Sequence, residues 1–183
     1  MIVLEDVVKY ELTEKKIIGK TTLYRIRALK DFSNVKAGDL GGWIESERNL
    51  SQNCDAWVFD NAQVFDNARV SGDARVYDDA QVFGDARVTG NARVTGNAWV
   101  TGNARVTGNA RVNRSFDYLL IGPIGSRESF TTFYRTENGI YVLCGCFCGT
   151  LDEFAARVEA THGDNQHGKA YKAAIEFVKQ VMG

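Results

Sequence analysis

The segment Ile121-Gly122-Pro123-Ile124-Gly125-Ser126-Arg127 follows an apolar run and ends in a hydroxyl and a guanidinium, with Thr131 and Thr132 close behind. A loop of this kind offers backbone N–H groups to a phosphate while Arg127 takes its charge. Ser126, Thr131 and Thr132 would line the site with hydroxyls, and Phe133 or Tyr134 would stack on a base. The segment matches no defined nucleotide motif, and a turn whose glycines serve only chain reversal is the plainer alternative. His162-Gly163-Asp164-Asn165 either faces the same pocket or closes a turn between two helices.

Cys144, Cys146 and Cys148 alternate, so on one strand three thiols share a face, and His162 would complete four zinc ligands. Alternate residues of one strand rarely converge on a metal, so reduced cysteines acting as small hydrophobes are expected, with no metal and no cofactor. Cys54 stands far away, which is not the spacing of a secreted disulfide framework. Only two histidines are present, His162 and His167. A general base must lie within hydrogen-bond reach of its proton, which restricts acid–base chemistry to the C-terminal third.

The elements that must position these groups are unusually regular. Valine recurs every six residues from Val58 to Val112, with alanine two residues before each, giving ten hexads without a slip. Six fits no helix period, whereas Ala-x-Val alternates as a strand does, so each hexad is a short strand and a corner. The corners, from Asp60-Asn61 to Gly108-Asn109, are built from Gly, Asn and Asp, which accept tight or left-handed backbone at low cost. Three hexads make an 18-residue triangular coil, and the sequence predicts a left-handed parallel β-helix with about three complete coils.

Stepping by 18 sorts the outward residues into three faces. The first carries Trp57, Phe59, Arg75, Tyr77, Arg93, Thr95 and Arg111. The second carries Gln63, Phe65, Gln81, Phe83, Trp99 and Thr101. The third carries Arg69, Ser71, Arg87, Thr89, Arg105 and Thr107. Aromatic residues on the first two make an apolar patch that another element or subunit should cover. The column Arg69, Arg87, Arg105 is either a solvated by-product of duplication or an anion site.

Residues 1–50 read as a cap that seals the bottom of the helix. Within them, Thr21 to Leu29 alternates as a strand, and Trp43-Ile44 with Leu50 forms an irregular first coil. Residues 51–114 are the repeats. Residues 115–183 are a small α+β module: strands at 118–121, 130–134 and 140–144, then a helix from a Thr150-x-x-Glu153 capping box to about Thr161. A second helix follows from about His167 to Val181, with Ala170, Ala173, Ala174, Phe177, Val178 and Val181 on one face.

The formal net charge of −1 gives no overall field for DNA, RNA or an anionic membrane, so none is expected as a partner. No apolar stretch is long enough to span a bilayer, and Met1 to Asp6 lacks a signal peptide's basic start, which points to the cytoplasm.

Rods of such hexads resemble those of hexapeptide acyltransferases, which implies a catalytic histidine on or beside the coils. This chain has none there. The motifs Tyr24-Arg25-Ile26-Arg27-Ala28-Leu29 and Gly38-Asp39-Leu40-Gly41-Gly42-Trp43, running into the repeats, resemble hexapeptide-repeat proteins of phages and prophages. Gly122-Pro123-Ile124-Gly125-Ser126-Arg127, Cys144-Gly145-Cys146-Phe147 and Gly149-Thr150-Leu151-Asp152-Glu153-Phe154 look like a tail recurring in such proteins. The resemblance implies a homotrimer of parallel rods, in the host cytoplasm if phage-encoded. The leading expectation is a non-catalytic binding protein that sequesters a nucleotide-derived immune signal, cyclic or ADP-ribose-like, using Ser126, Arg127, Thr131, Thr132, Phe133, Tyr134, His162 and Arg105. Alternatives are an acyltransferase working through His162 or His167, and a structural oligomer or protein inhibitor.

Overall fold

The computed structural model describes residues 8–183. The expectation that rests on Met1 to Asp6 lies outside them. The described residues begin with an antiparallel pair, β1 (Tyr10–Ile18) and β2 (Thr21–Ala28), followed by β3 (Leu40–Ile44), which joins the pair to the rod. The sequence signalled β2 but not β1, because Glu11 to Lys16 is dominated by charge and its one apolar residue, Leu12, which packs against the core, makes no alternation by itself.

The rod is a parallel β-solenoid. Ten two-residue strands, β4 (Trp57–Val58) and then one every six residues to β13 (Arg111–Val112), stack in three parallel sheets. Arg75 aligns on Arg93 and Arg111, and Arg69 aligns on Arg87 and Arg105, each step being 18 residues. Trp43 pairs with Gln63, Ile44 with Val64 and Leu50 with Val70, so the irregular first coil is present below the regular ones. Every Ala and Val of the ten hexads is buried.

The corners explain the residue choices. Gly72, Gly84, Gly90, Gly96, Gly102 and Gly108 have φ between 62 and 68°, and Asp60, Asp66 and Asp78 hold the same left-handed conformation at 52, 56 and 57°. An aspartate tolerates it because its carboxylate is used: Asp60, Asp66 and Asp78 each accept from the backbone N–H one coil above, at Asp78, Gly84 and Gly96. The stacked corners are tight, and a Cβ on Gly72 would fall 2.9 Å from the Gly90 nitrogen.

Within the rod, N–H groups donate upward to the next coil, as Arg69 does to Ala86 and Ser71 to Val88. The bottom coil therefore presents carbonyls without partners and the top coil presents N–H groups, and both ends need complementary caps. At the bottom, Lys9 Nζ donates to Cys54 and Ala56, Asn49 Nδ2 donates to Asp66 and Ala68, and the Tyr10 hydroxyl donates to Leu50. At the top, the acceptors are side chains of the following module: Trp99 N–H donates to Ser115 Oγ, Thr101 N–H to the Tyr118 hydroxyl, and Arg105 N–H to Thr132 Oγ1. Trp57 points out of the rod as expected but is 1% exposed, because Tyr10 and Phe32 pack edge-on against it.

The C-terminal module is a four-stranded antiparallel sheet, β14 (Tyr118–Ile124), β15 (Ser129–Thr136), β16 (Gly139–Cys144) and β17 (Phe147–Thr150), with α1 (Leu151–His162) and α2 (Gln166–Met182) on one side. The expected three strands become four because Gly145-Cys146 is a turn rather than mid-strand, with Gly145 at φ 61°. The period of two then divides the sheet. Tyr118, Tyr134, Tyr141 and Leu143 close the top of the rod, while Leu119, Phe133, Val142 and Phe147 meet the helices. Thr150 caps α1 through the foreseen Glu153 box. The buried face of α2 is Tyr171, Ala174, Ile175, Val178 and Met182. It is rotated from the expected one, leaving Phe177 and Val181 exposed, because Tyr171 and Ile175 rather than Ala170 and Ala173 fill the space over the sheet. Among the described residues no helix is long and apolar enough to cross a membrane.

Candidate functional site

The groups with the richest chemistry meet between the β14–β15 turn, the β16–β17 turn and the C-terminal half of α1. The first turn spans 125–128, shorter than the loop read from sequence, since Gly122 to Ile124 belong to β14. Gly125 accepts from Glu128 N–H at 3.2 Å, and its φ of 76° is the left-handed geometry that a glycine supplies. Gly125 is also required by space, because the Tyr171 hydroxyl would lie 2.0 Å from a Cβ at that position. Across the cleft, a Cβ on Gly145 would stand 3.3 Å from Arg127 Nη1, so the guanidinium passes close over the second turn.

On α1, residues 154 and 158 point into the module core, while Arg157, Thr161 and His162, beside that buried stripe, form the opposite wall. The floor is aromatic. Phe147 and Tyr171 flank Phe154 at ring-centroid distances of 5.4 and 5.5 Å, and His162 lies 5.7 Å from Tyr171 at 30° between planes. The His167 ring is 5.9 Å from that of His162. Thr131 Oγ1 donates to Cys144 Sγ, which lies 3.6 Å from the Tyr171 hydroxyl. Burial, reinforced by Cys144, pushes the Tyr171 phenol up to about 12, and the positive charge of Arg127 opposes that rise.

The resulting cleft has a volume of about 200 Å³, and its lining contains Arg127, Arg157 and His162 but no carboxylate. Four other surface clefts each include at least one Asp or Glu. With polar donors above an apolar floor, this cleft suits an anionic group attached to a flat apolar body.

Of the residues singled out from sequence, the structure brings Ser126, Arg127 and His162 together here. Arg105 lies in an adjoining cleft of about 370 Å³ with Thr132 and Glu128, and Ser129 and Gly145 are common to both. Thr131 and Thr132 are buried, the one against Cys144 and the other capping the Arg105 N–H. Phe133 and Tyr134 are 0% and 1% exposed, so neither ring offers a face for stacking. Their alternation in a central strand sends one to the helices and the other to the rod.

The three thiols do not share one face. Cys144 faces the helices, Cys146 is in the turn, and Cys148 pairs with Leu143 on the rod side, 4.0 Å from the Tyr134 hydroxyl. Among the described residues no group of three or more His, Cys, Asp or Glu is disposed to hold a metal ion. Arg157, Thr161 and Tyr171 were missed. Arg157 and Thr161 lie four residues apart on one face of α1, but they stand five residues and one residue from His162, a spacing that does not mark them as its neighbours, and Tyr171 comes into reach only through the packing of α2.

A family described as the YdcK β-solenoid repeat matches residues 62–78 and 80–92. The likeness is to the rod. Over 48 residues the chain is 40% identical to an Escherichia coli (strain K12) protein named "Uncharacterized acetyltransferase YdcK", a stretch that is 26% of this chain and 14% of that protein. The family match falls within the solenoid and includes none of the residues that line the Arg127 cleft.

Proposed function

We propose that the chain is a binding protein whose C-terminal module holds a small phosphorylated ligand, nucleotide-derived, without transforming it. The observation that carries this reading is the carboxylate-free cleft whose lining combines Arg127 and Arg157 with Phe147, Phe154 and Tyr171. Arginine recognises phosphate oxygens with paired N–H donors, and Ser126 and Thr161 add hydroxyls at the rim. The rod supports the reading as a rigid platform. In a phage setting, which the resemblance of its motifs implies, sequestering a cyclic nucleotide or ADP-ribose-like immune signal would blunt a host defence.

The test is calorimetry with 5′-AMP, ADP-ribose and a cyclic dinucleotide, followed by heat release and analysis of the ligand. Intact ligand is expected, with binding weakened about 10- to 100-fold in Arg127→Ala or Arg157→Ala, the value of a hydrogen bond to a charged group. Absence of any heat or melting shift at saturating concentration refutes the reading. An acyltransferase reading draws on the printed name of the E. coli relative and on His162 at the cleft wall. Acetyl-CoA turnover that vanishes in His162→Ala would decide for it.

A further inference from the structure

The formal charge of −1 conceals a strong segregation along the rod axis. Residues 1–50 hold nine Lys and Arg against eight Asp and Glu. Residues 51–86 hold seven Asp against two Arg, residues 87–114 hold five Arg and no acid, and residues 115–183 hold eight acids against six bases. From bottom to top the blocks are therefore weakly positive, strongly negative, strongly positive and weakly negative. The cause is visible in the corners: Asp60, Asp66, Asp73, Asp78, Asp79 and Asp85 below give way to Gly-Asn at all four corners above. All six of those aspartates are exposed, as are Arg87, Arg93 and Arg105, and among the described residues none of the nine is in an ion pair.

Reversing this order exchanges every sign. Two copies lying side by side in the same direction meet like against like at each height, whereas two copies in opposite directions meet plus against minus along the whole length. The second face supplies a surface for that contact. Its outward residues Gln63, Phe65, Gln81, Phe83, Trp99 and Thr101 carry no charge. Phe65 stacks on Phe83 at 5.0 Å, and Trp99 meets Phe83 edge-on at 6.2 Å while remaining 54% exposed. Acidic corners rim its lower half, and Arg93 and Arg105 stand beyond the uncharged corners of its upper half.

We infer that the second face docks a second copy of this chain in antiparallel orientation, with Trp99 of each copy opposite Phe65 of the other and the acidic lower coils opposite the arginine-bearing upper coils. A two-fold axis near Phe83 makes the surface self-complementary. The apolar column supplies burial, and the charges fix direction. The parallel arrangement implied by the resemblance of the motifs is the competing outcome.

Sedimentation of the full chain tests this. A dimer is expected whose dissociation constant rises about tenfold or more between roughly 50 and 500 mM salt as the charges are screened. Trp99→Asp, and separately Arg93→Glu with Arg105→Glu, should give monomers with unchanged circular dichroism. A photoreactive p-benzoylphenylalanine in place of Thr101 should crosslink to residues 63–67 of the other copy. Crosslinks to residues 99–101 of the other copy, a trimer, a salt-insensitive dimer, or a wild type that stays monomeric at about 100 μM each overturn the inference.

Discussion

Lys9 Nζ donates to the Ala56 carbonyl at 2.8 Å from a position that is 1% exposed. It also takes the Cys54 carbonyl at 2.7 Å, so one ammonium serves two acceptors at the open end of the first coil. Lys9→Met keeps the apolar stem and strands both carbonyls. We expect a loss of about 2 kcal/mol or more in urea unfolding, since each buried orphan costs on the order of 1–3 kcal/mol. An unchanged midpoint would show that water replaces the lysine at no cost.

The same lysine sets a pH dependence. Burial, the largest cause, lowers its pKa from 10.5 to about 8, opposed by nearby Cys54 and Asp55. Below pH 8 the group is charged in both states and the burial cost is fully present. Between about 8 and 10.5 the folded chain has released this proton while the unfolded chain still holds it, so this group's contribution to stability rises with pH. The stability of the wild type relative to Lys9→Met should therefore increase across that window. A flat difference contradicts the shift.

Two tryptophans on the outside of the rod should respond oppositely to truncation. Trp57 is enclosed by Tyr10 and Phe32, and Trp57→Ala should cost about 3–5 kcal/mol and loosen the cap. Trp99 is half in solvent, and Trp99→Ala should change the unfolding free energy of the isolated chain by less than about 1 kcal/mol. Thermal melts at low protein concentration separate the two.

Asp117 joins rod to module. Its carboxylate accepts from the Asn113 and Arg114 N–H groups at 2.9 and 3.0 Å, with Arg135 Nε 3.3 Å away. Asp117→Ala removes a buried acceptor from two N–H groups and should cost about 2–4 kcal/mol. Hydrogen exchange should then rise at residues 113–118 before the coils below are affected.

Gly125→Ala should disturb the cleft directly, because the new methyl meets the Tyr171 hydroxyl and the backbone there is left-handed. A loss of about 1–3 kcal/mol is expected. Weakened nucleotide binding should accompany it, since Ser126 and Arg127 follow on the same turn. A variant that binds as the wild type does would separate the turn from the ligand.

The rod was legible because its signal repeats: ten Ala-x-Val units leave no second period, and Ile44 and Leu50 keep the six-residue spacing between themselves, although the step from each to Val64 and Val70 is 20 residues rather than 18. The caps were harder, because their logic is polar rather than periodic. Nothing local marks Lys9 as a donor to carbonyls 45 and 47 residues away. In the module, Ser126, Arg127 and His162 were recognisable by type, but their wall partner Arg157 and floor residue Tyr171 depend on how two helices settle on a sheet. Phe133 and Tyr134 misled because a strand buried on both faces looks, residue by residue, like one that offers aromatics to a ligand.

The hydroxyls of Ser115, Tyr118 and Thr132 receive the N–H groups of the last coil only, and every coil beneath it offers the same upward N–H pattern. Coil number is therefore a free variable of the architecture. Inserting or deleting one 18-residue unit below Trp99 would move the cleft by a single rung, about 4.8 Å, without altering a contact inside it. The solenoid is in this sense a ruler: it sets how far the cleft stands from the N-terminal cap, and duplication or loss of one unit can reset that distance.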